Sequence, residues 1–386
     1  MKIAVIGAKG LPAYQGGVEH HCQEIYSRIV ARGHSVDLFA RCSYLNCYPL
    51  QIKYSNGVKV IPLPSMKLKG VDAVVSSALG AIAACKTNYD IIHFHALGPS
   101  LFSGLSKAIS AAKIVVTCHG LDWKRAKWGK LPKFLLQQGE INAVQSADRL
   151  IVVSEDLRTY FKQTYNLDTA YIPNAAASYA QSDPNFTYSK SLGLKTGRYI
   201  LFLGRFVPEK RPDLIIRAFQ ALNLPDWQLV MVGGCSDSHY FISEVMKLAA
   251  NHPNIIFTGE QTGAYLAEIV RGAGLFILPS DLEGFPLVML EAMGEGIPVV
   301  ASDIPIHKKL TNEGRGIIFN AGNLSSCISS LQWAISHPQE MAIAAQKAQT
   351  HVQATYNWDS ITQETLQVYT SMIGAEHKSA IANYAR

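Results

Sequence analysis

Leu275-Phe276-Ile277-Leu278-Pro279-Ser280-Asp281-Leu282-Glu283-Gly284-Phe285-Pro286-Leu287-Val288-Met289-Leu290-Glu291-Ala292-Met293-Gly294 carries the pattern from which the fold is read. Four apolar residues followed by a proline mark a short buried strand that stops. A polar loop comes next, then an apolar run opening at Pro286. Proline suits the first position of a helix, where its missing N–H would have no partner anyway, so a helix is expected over Pro286–Gly294. Gly296-Ile297-Pro298-Val299-Val300 then begins another strand, expected at Pro298–Ala301. Strand, loop, helix and strand in this order form a right-handed βαβ unit of a parallel sheet.

The same stretch carries chemistry. At 100° per residue, the eight steps from Glu283 to Glu291 leave them about 80° apart on a helix, so they need not share a face. Glu283 belongs to the loop and Glu291 to the helix. The N–H groups of Leu287 and Val288 point out of the helix start, which makes an anion site. A diphosphate placed there would have a carboxylate on either side. Glu283 could accept hydrogen bonds from sugar hydroxyls and Glu291 from ribose hydroxyls, with Phe285 in the same loop. The plainer alternative is one carboxylate at a helix start and a solvent-facing one two turns on.

The grammar extends in both directions. Tyr199–Leu203, Trp227–Val232, Ile255–Phe257 and Gly316–Ile318 read as strands, and Arg211–Ala221, Tyr240–Asn251 and Ala264–Gly272 as helices. The first of these strands runs into Gly204-Arg205-Phe206-Val207-Pro208-Glu209-Lys210. Two cations on a strand-to-helix loop can clamp a diphosphate, Arg205 as a planar fork and Lys210 as a point charge. They would also stabilise the charge that builds on a leaving phosphate. A solvated basic loop is the alternative.

The first half alternates in the same way. Strands are expected at Lys2–Ile6, Ser35–Phe39, Lys59–Leu63, Ile91–His95, Lys113–Cys118 and Leu150–Val153, with helices at Val18–Ala31, Pro99–Ala112 and Pro132–Ala147. The apolar run Val71–Cys85 reads as a buried helix, too short to span a bilayer. The first strand enters Gly7-Ala8-Lys9-Gly10-Leu11-Pro12-Ala13-Tyr14-Gln15-Gly16-Gly17-Val18-Glu19-His20, where Gly16 and Gly17 would let the backbone approach phosphate or sugar. The glycine spacing is wrong for a dinucleotide fingerprint and the second strand runs out at Ala40-Arg41 rather than at an acid, so a nicotinamide site is discounted. His93, His95 and His119 stand at strand ends, where open α/β sheets bind ligands. His119 could hydrogen-bond a sugar or act as a base; nothing in the spacing fixes the three as zinc ligands. Trp123-Lys124-Arg125-Ala126-Lys127-Trp128-Gly129-Lys130-Leu131-Pro132-Lys133 mixes tryptophan with cations and reads as an interfacial segment for an anionic membrane or a lipid phosphate.

Domain count follows from size: 386 residues, 48% hydrophobic and 17% charged, suit two globular domains rather than a disordered chain. Residues 1–178 form the expected first domain, the polar stretch Ala180–Lys190 a linker, and residues 190–358 the second domain. Residues 1–175 hold 20 Lys and Arg against 11 Asp and Glu, the remainder 15 against 18. The basic surplus of the first half points to an acidic partner there, or to a solubilising surface. Seven scattered cysteines without a C-x-x-C pair, and an N-terminus that reads as a strand, lead to the expectation of a cytoplasmic protein with reduced thiols. Apolar spacing predicts a terminal helix over Trp358–Ile373, with Gly374–Arg386 loose.

Together these pieces resemble the retaining GT-B glycosyltransferases of group 1, or family four. The most specific likeness is the E-x7-E motif from Glu283 to Glu291 within EGFPLVMLEAM. The G-R-x-x-x-E-K loop, the early Gly-Gly-Val-Glu, Thr117-Cys118-His119-Gly120 and Ile172-Pro173-Asn174 match as well. The opening IGAKGLPAYQGGVE is similar to bacterial rhamnosyl- and mannosyltransferase-like members. The resemblance implies an α/β chain of two Rossmann-like doubly wound domains facing a central cleft, with the segment from about 360 to 386 crossing back to the first. It implies a nucleotide-diphosphate sugar donor, UDP- or GDP-linked. Arg205 and Lys210 would hold its diphosphate, Glu291 its ribose and Glu283 its sugar, with Gly17 near the phosphates and His119 facing the sugar. The acceptor would be a saccharide or lipid-linked saccharide, at the inner face of the plasma membrane. Retention without an obligatory protein nucleophile is implied, as are no metal, no cofactor beyond the donor and no nucleic acid; the chain contains no D-x-D. One departure stands: the family usually has Gly where this chain has Pro286, which bears on donor identity. A sugar-nucleotide 2-epimerase and a non-catalytic sugar-nucleotide-binding subunit are the rival readings.

Overall fold

The computed structural model describes residues 1–13, 16–65, 71–125, 128–177, 179–234, 239–250 and 252–384. Of the residues singled out above, Tyr14, Gln15, Ala126, Lys127, Asn251 and Arg386 lie outside these, as does one of the seven cysteines, Cys235. The chain forms two units, Met1–Asn174 with Trp358–Arg386, and Ala175–Asn357.

In the first unit the elements run β1 (Lys2–Ile6), α1 (Gly17–Ala31), β2 (Ser35–Arg41), α2 (Cys42–Leu45), β3 (Lys53–Ser55), β4 (Val58–Leu63), α3 (Val71–Cys85), β5 (Ile91–His95), α4 (Ser103–Ile109), β6 (Lys113–Cys118), α5 (Lys130–Ser146), β7 (Arg149–Val152), α6 (Glu155–Tyr165) and β8 (Ala170–Tyr171). The sheet order is β3-β4-β2-β1-β5-β6-β7-β8, parallel except for the antiparallel edge strand β3. The central strands are buried on both faces, which is why they read as unbroken apolar runs.

The second unit contains α7 (Thr187–Ser191), β9 (Tyr199–Leu203), α8 (Pro212–Leu222), β10 (Gln228–Val232), α9 (His239–Ala249), β11 (Ile255–Gly259), α10 (Gly263–Arg271), β12 (Leu275–Leu278), α11 (Leu287–Gly294), β13 (Val299–Ser302), α12 (Pro305–Thr311), β14 (Ile317–Phe319), α13 (Leu324–Ser336) and α14 (Pro338–Thr355). Its order, β11-β10-β9-β12-β13-β14, is all parallel. Counted within the unit this is 3-2-1-4-5-6, the doubly wound Rossmann order, and β4-β2-β1-β5-β6-β7 repeats it in the first unit. Phe202, Phe219, Leu229, Met231, Ile277 and Val300 form the core of the second unit. The chain closes with α15 (Trp358–Tyr384), packed on α1 of the first unit.

Four expectations are corrected. The boundary falls after Asn174, not at 178, and Ala180–Lys190 is part of the second unit rather than a free linker. Arg271 holds it there, bonded to the Ala180 carbonyl and the Ser182 hydroxyl at 2.8 Å each while paired with Glu295. Helix α15 continues to Tyr384 where a loose tail is expected. Helix α3 is not a buried helix: it buries Ser76, Ser77, Gly80, Ala81 and Ala84 and leaves Val71, Val74 and Ile82 exposed. Small residues on that face let the helix lie close to the sheet: a Cβ added at Gly80 would already touch Ile6 and Phe39 at 3.4 Å.

Candidate active site

In a doubly wound sheet the loops on either side of the strand-order reversal part to leave a crevice. In the second unit the reversal lies between β9 and β12, so the crevice-lining loops are Gly204–Arg211 and Pro279–Pro286. Both carry predicted site residues. Gly233 lets the first of them pass: a Cβ there would sit 2.0 Å from the Gly204 carbonyl oxygen, and its φ of +133° suits glycine alone. The two loops are joined by the Asp281 amide, which donates to the Glu209 carbonyl at 2.8 Å.

Lys210 and Glu283 meet across this crevice. The Lys210 ammonium donates to Glu283 Oε1 at 2.7 Å, and both side chains are largely buried. Ser280 donates to the same oxygen at 2.8 Å. Burial disfavours the charged carboxylate, but Lys210 outweighs it and holds Glu283 below its ordinary value. Behind the pair stands His307 of α12, wholly buried. Its Nδ1 bonds the Ser302 carbonyl at 3.1 Å and hydroxyl at 3.0 Å, and Ser302 in turn donates to the Ser280 carbonyl. Burial pushes His307 down to about 4 despite the nearby Glu283 carboxylate. The ring is therefore neutral at pH 7, protonated on Nδ1, with Nε2 as a bare acceptor. Ser280, Ser302 and His307 form a support that the sequence reading missed. Ser280 follows one strand, Ser302 ends another and the histidine opens no motif, so only the fold joins them.

The other predicted residues fall as follows. Arg205 stands at the start of the Gly204–Arg211 loop, half-buried. Pro286 is the N-cap of α11 rather than its first residue, with φ −82° and ψ 90°. Its carbonyl takes the amides of Met289 and Leu290, which leaves those of Leu287 and Val288 to a ligand, the two that the sequence pattern nominates. Phe285 turns inward against Tyr356, ring centroids 5.6 Å apart, so it packs rather than lines a site. Glu291 lies within α11 and accepts from the Tyr179 hydroxyl at 3.0 Å. Burial and that carboxylate hold the Tyr179 phenol well above its ordinary value, so it remains a donor.

In the first unit Gly16 caps α1 at φ +98° and Gly17 is its first residue. The space beside Gly16 is taken by Glu19, whose carboxylate oxygen would lie 2.1 Å from any added Cβ and which accepts the Lys9 amide at 3.0 Å. The chain thus supplies its own anion at this helix start.

His95 ends β5 and His119 directly follows β6, while His93 lies mid-strand in β5 rather than at its end; the three are brought together with His21 and Tyr26 of α1 and Tyr369 of α15. His95 Nδ1 lies 3.0 Å from His119 Nε2, and His21 Nδ1 2.7 Å from Asn174 Oδ1. Burial pushes His21 to about 4, and drives His93, His95 and His119 well below the ordinary value, with neighbouring histidines adding to the effect. Tyr26 and His21 lie on the buried stripe of α1 with Cys22, Ile25 and Ile29. A tyrosine and a histidine on such a stripe signal a buried polar partner, a clue available in the sequence.

The tryptophan segment is less interfacial than its composition suggests. Trp123 donates its indole N–H to the buried Glu140 at 2.7 Å, and Lys124 lies over the Trp123 and Tyr160 rings. Arg125 pairs with Asp122. The apolar side chains left exposed are Leu131 and Phe134, on the first turns of α5, each directly after a lysine, Lys130 and Lys133. No helix among the described residues is long and apolar enough to cross a membrane.

Known proteins share this architecture. The Glycosyltransferase Family 4 model matches residues 15–176 and the Glycosyl transferases group 1 model residues 185–351. The chain belongs to the group 1 glycosyltransferases of GT-B fold. It is 27% identical to a D-inositol 3-phosphate glycosyltransferase of Mycobacterium leprae over 93% of this chain and 89% of that one. It is 26% identical to the Salinispora tropica protein of the same name, over 100% and 88%. Among solved structures it is similar to sucrose-phosphate synthase of Thermosynechococcus elongatus, at a TM-score of 0.83 and 21% identity over 97% of this chain and 99% of that one. It is likewise similar to Anabaena HepE in complex with UDP-glucose, at 0.79 and 20%, over 96% and 100%.

Proposed function

We propose that this glycosyltransferase moves a hexose-type sugar, with retention of anomeric configuration and without a metal, from a UDP- or GDP-sugar to a saccharide or lipid-linked saccharide. The observation that carries the donor half is the Lys210–Glu283 pair at the β9/β12 switch point, 2.7 Å apart and backed by Ser280. An ammonium has three donor hydrogens. Lys210 can therefore keep Glu283 and still reach a phosphate oxygen, so the pair is preassembled rather than broken by the ligand. The free amides of Leu287 and Val288 add a helix-start anion site, and Arg205 a bidentate one. Glu291, with Tyr179 already on one oxygen, keeps acceptor capacity for ribose hydroxyls. The Anabaena neighbour holds UDP-glucose on the same fold.

In the transfer, the bond from the sugar's anomeric carbon to the diphosphate breaks as the acceptor oxygen attacks the same face. The acceptor's proton passes to the leaving phosphate oxygen. Lys210 and Arg205 take up the charge that develops there. In the first unit His119 is the group offered to a sugar. Glu19 already places a negative charge beside Gly16, so the glycine loop suits sugar hydroxyls better than phosphate. For a lipid-linked acceptor, the exposed Leu131 and Phe134, beside Lys130 and Lys133, are the surface offered to an anionic bilayer. The test is a thermal-shift panel of UDP, GDP, ADP, dTDP and their sugars, followed by transfer assays with the stabilising donor. A nucleotide that raises the melting temperature, and a product with the donor's anomeric configuration, support the reading; no stabilisation by any of the panel overturns it.

A further inference from the structure

Ser302 and His307 reach the crevice of the second unit from β13 and α12, the strand and helix that follow α11. One peptide unit receives them. The Ser280 carbonyl accepts from the Ser302 hydroxyl, and the amide of the same peptide unit, the Asp281 N–H, donates to the Glu209 carbonyl at 2.8 Å. The unit is thus held on both edges. From it the contacts close into a ring. The Ser280 hydroxyl donates to Glu283 Oε1 at 2.8 Å, Lys210 donates to the same oxygen at 2.7 Å, and Lys210 follows Glu209 in the chain. Ser280, Ser302 and His307 are wholly buried, so their bonds act in a low dielectric.

The hydrogens of this relay have one arrangement. The Ser280 carbonyl can only accept, so the single Ser302 hydroxyl hydrogen goes to it. His307 Nδ1 stands 3.0 Å from that hydroxyl oxygen and 3.1 Å from the Ser302 carbonyl. Both oxygens face it with lone pairs, so Nδ1 carries a hydrogen and shares it between them, an ordinary three-centre bond. A bare Nδ1 would set lone pair against lone pair at the Ser302 carbonyl. Were it to take the Ser302 hydrogen as well, the Ser302 hydroxyl and the Ser280 carbonyl would face each other in the same way. His307 Nε2 bonds none of the described residues. Among them Nδ1 is therefore the ring's one polar link, and that link leads to the peptide unit on which the Glu283 loop hangs.

We propose that His307 is a positioning residue for the donor site: by donating from Nδ1 to Ser302 it fixes the Ser280–Asp281 peptide unit and, through it, the places of Glu283 and Lys210. This rests on the reading of Glu283 and Lys210 as the groups that hold the donor's sugar and diphosphate. The two loops that carry them leave β12 and β9, and the relay brings a third strand, β13, to bear on both. Because the ring is neutral, it orients the loop without drawing Glu283 away from Lys210. The competing use of the ring is packing, since α12 also buries Ile306 and Leu310.

His307→Asn and His307→Leu separate the two uses. The side-chain amide of Asn is bonded to Cγ, as Nδ1 is, so it places an N–H near the same point but leaves a gap. Leu fills the space and donates nothing. The experiment compares these variants and Ser302→Ala with the wild type, each as the whole chain, with the donor and acceptor found in the transfer assays. Turnover should fall about 100-fold in His307→Leu and in Ser302→Ala, the cost of misplacing a reacting group by about 1 Å, and His307→Asn should recover most of that loss. A second readout needs no donor: the carbon-13 signal of the Glu283 carboxylate at pH 7.5, identified by its loss in Glu283→Gln. It should move in His307→Leu and Ser302→Ala and stay near the wild-type position in His307→Asn. Leu as active as Asn overturns the proposal in favour of packing. Wild-type turnover in Ser302→Ala, or a Glu283 signal unmoved in both His307→Leu and Ser302→Ala, overturns it as well. If His307→Leu fails to fold, Ser302→Ala and His307→Asn decide. A wild type that transfers no sugar sinks the transferase reading, and the Glu283 signal then decides the positioning role alone.

Discussion

Lys210 and Glu283 show how a residue proposed for the donor site can also be a structural liability. Removing one partner of a buried ion pair strands the other's charge at a cost of several kcal/mol. Lys210→Ala is therefore expected to destabilise the second unit by about 3 kcal/mol at pH 7.5 in urea unfolding, and Lys210→Ala with Glu283→Gln by much less. Equal losses in the two would mean that the pair is not electrostatically coupled. Because Glu283 is held below its unfolded value, its contribution is complete above that value and is lost as the pH falls through the folded one. Gly233 makes a second prediction. With φ at +133° and the Gly204 carbonyl in the way of any Cβ, Gly233→Ala should cost at least about 3 kcal/mol and displace the Gly204–Arg211 loop; an unchanged melting temperature would contradict the close approach. Lys210, Glu283 and Arg205 were legible because their loops follow strands in fixed order. His307, Ser302 and Tyr179 were not, because each reaches the site only through tertiary packing.

At the scale of elements, the strands were the easiest to read. Lys2–Ile6, Ile91–His95, Lys113–Cys118, Tyr199–Leu203 and Leu275–Leu278 have the ends the apolar runs indicate, since strands buried on both faces need unbroken apolar residues. Helix α6 escaped the reading although its start signal is present: Ser154 caps it, accepting the Leu157 amide, and Glu155 and Asp156 follow in the first turn. Helix α3 misled for the opposite reason. Its composition is apolar throughout, and only its neighbours decide that the small side chains face in. The tryptophan segment misled in the same way, because Glu140 draws Trp123 inward. What α5 exposes instead is testable. Leu131→Ser with Phe134→Ser should reduce co-sedimentation with phosphatidylglycerol vesicles several-fold, and equal co-sedimentation of variant and wild type would remove the membrane from the account.

For the whole molecule, the buried histidines set the acid limit. His21 and His307 sit at about 4, and His93, His95 and His119 well below the ordinary value. A histidine depressed in the folded state binds its proton first in the unfolded one, so stability is full above about pH 6.5 and falls as pH drops toward the folded values. Each such group removes at most about 1.4 kcal/mol per pH unit in that window. Urea midpoints should drop steeply between pH 6.5 and 5, with several protons taken up on unfolding; a flat profile there would mean that the histidines are not buried in the neutral form. The doubly wound order of both sheets was inferable from the alternation of strands and helices, whereas the return of α15 to the first unit was an expectation from family likeness alone. Donor binding by the second unit is tested most directly by titrating UDP and GDP calorimetrically into the wild type, into Arg205→Ala, and into Lys210→Ala with Glu283→Gln. One nucleotide should bind the wild type and lose about 1.5–3 kcal/mol, roughly 10- to 150-fold, in each variant. Undiminished affinity in both variants, or no binding of either nucleotide to the wild type, would contradict the assignment of these loops to the donor.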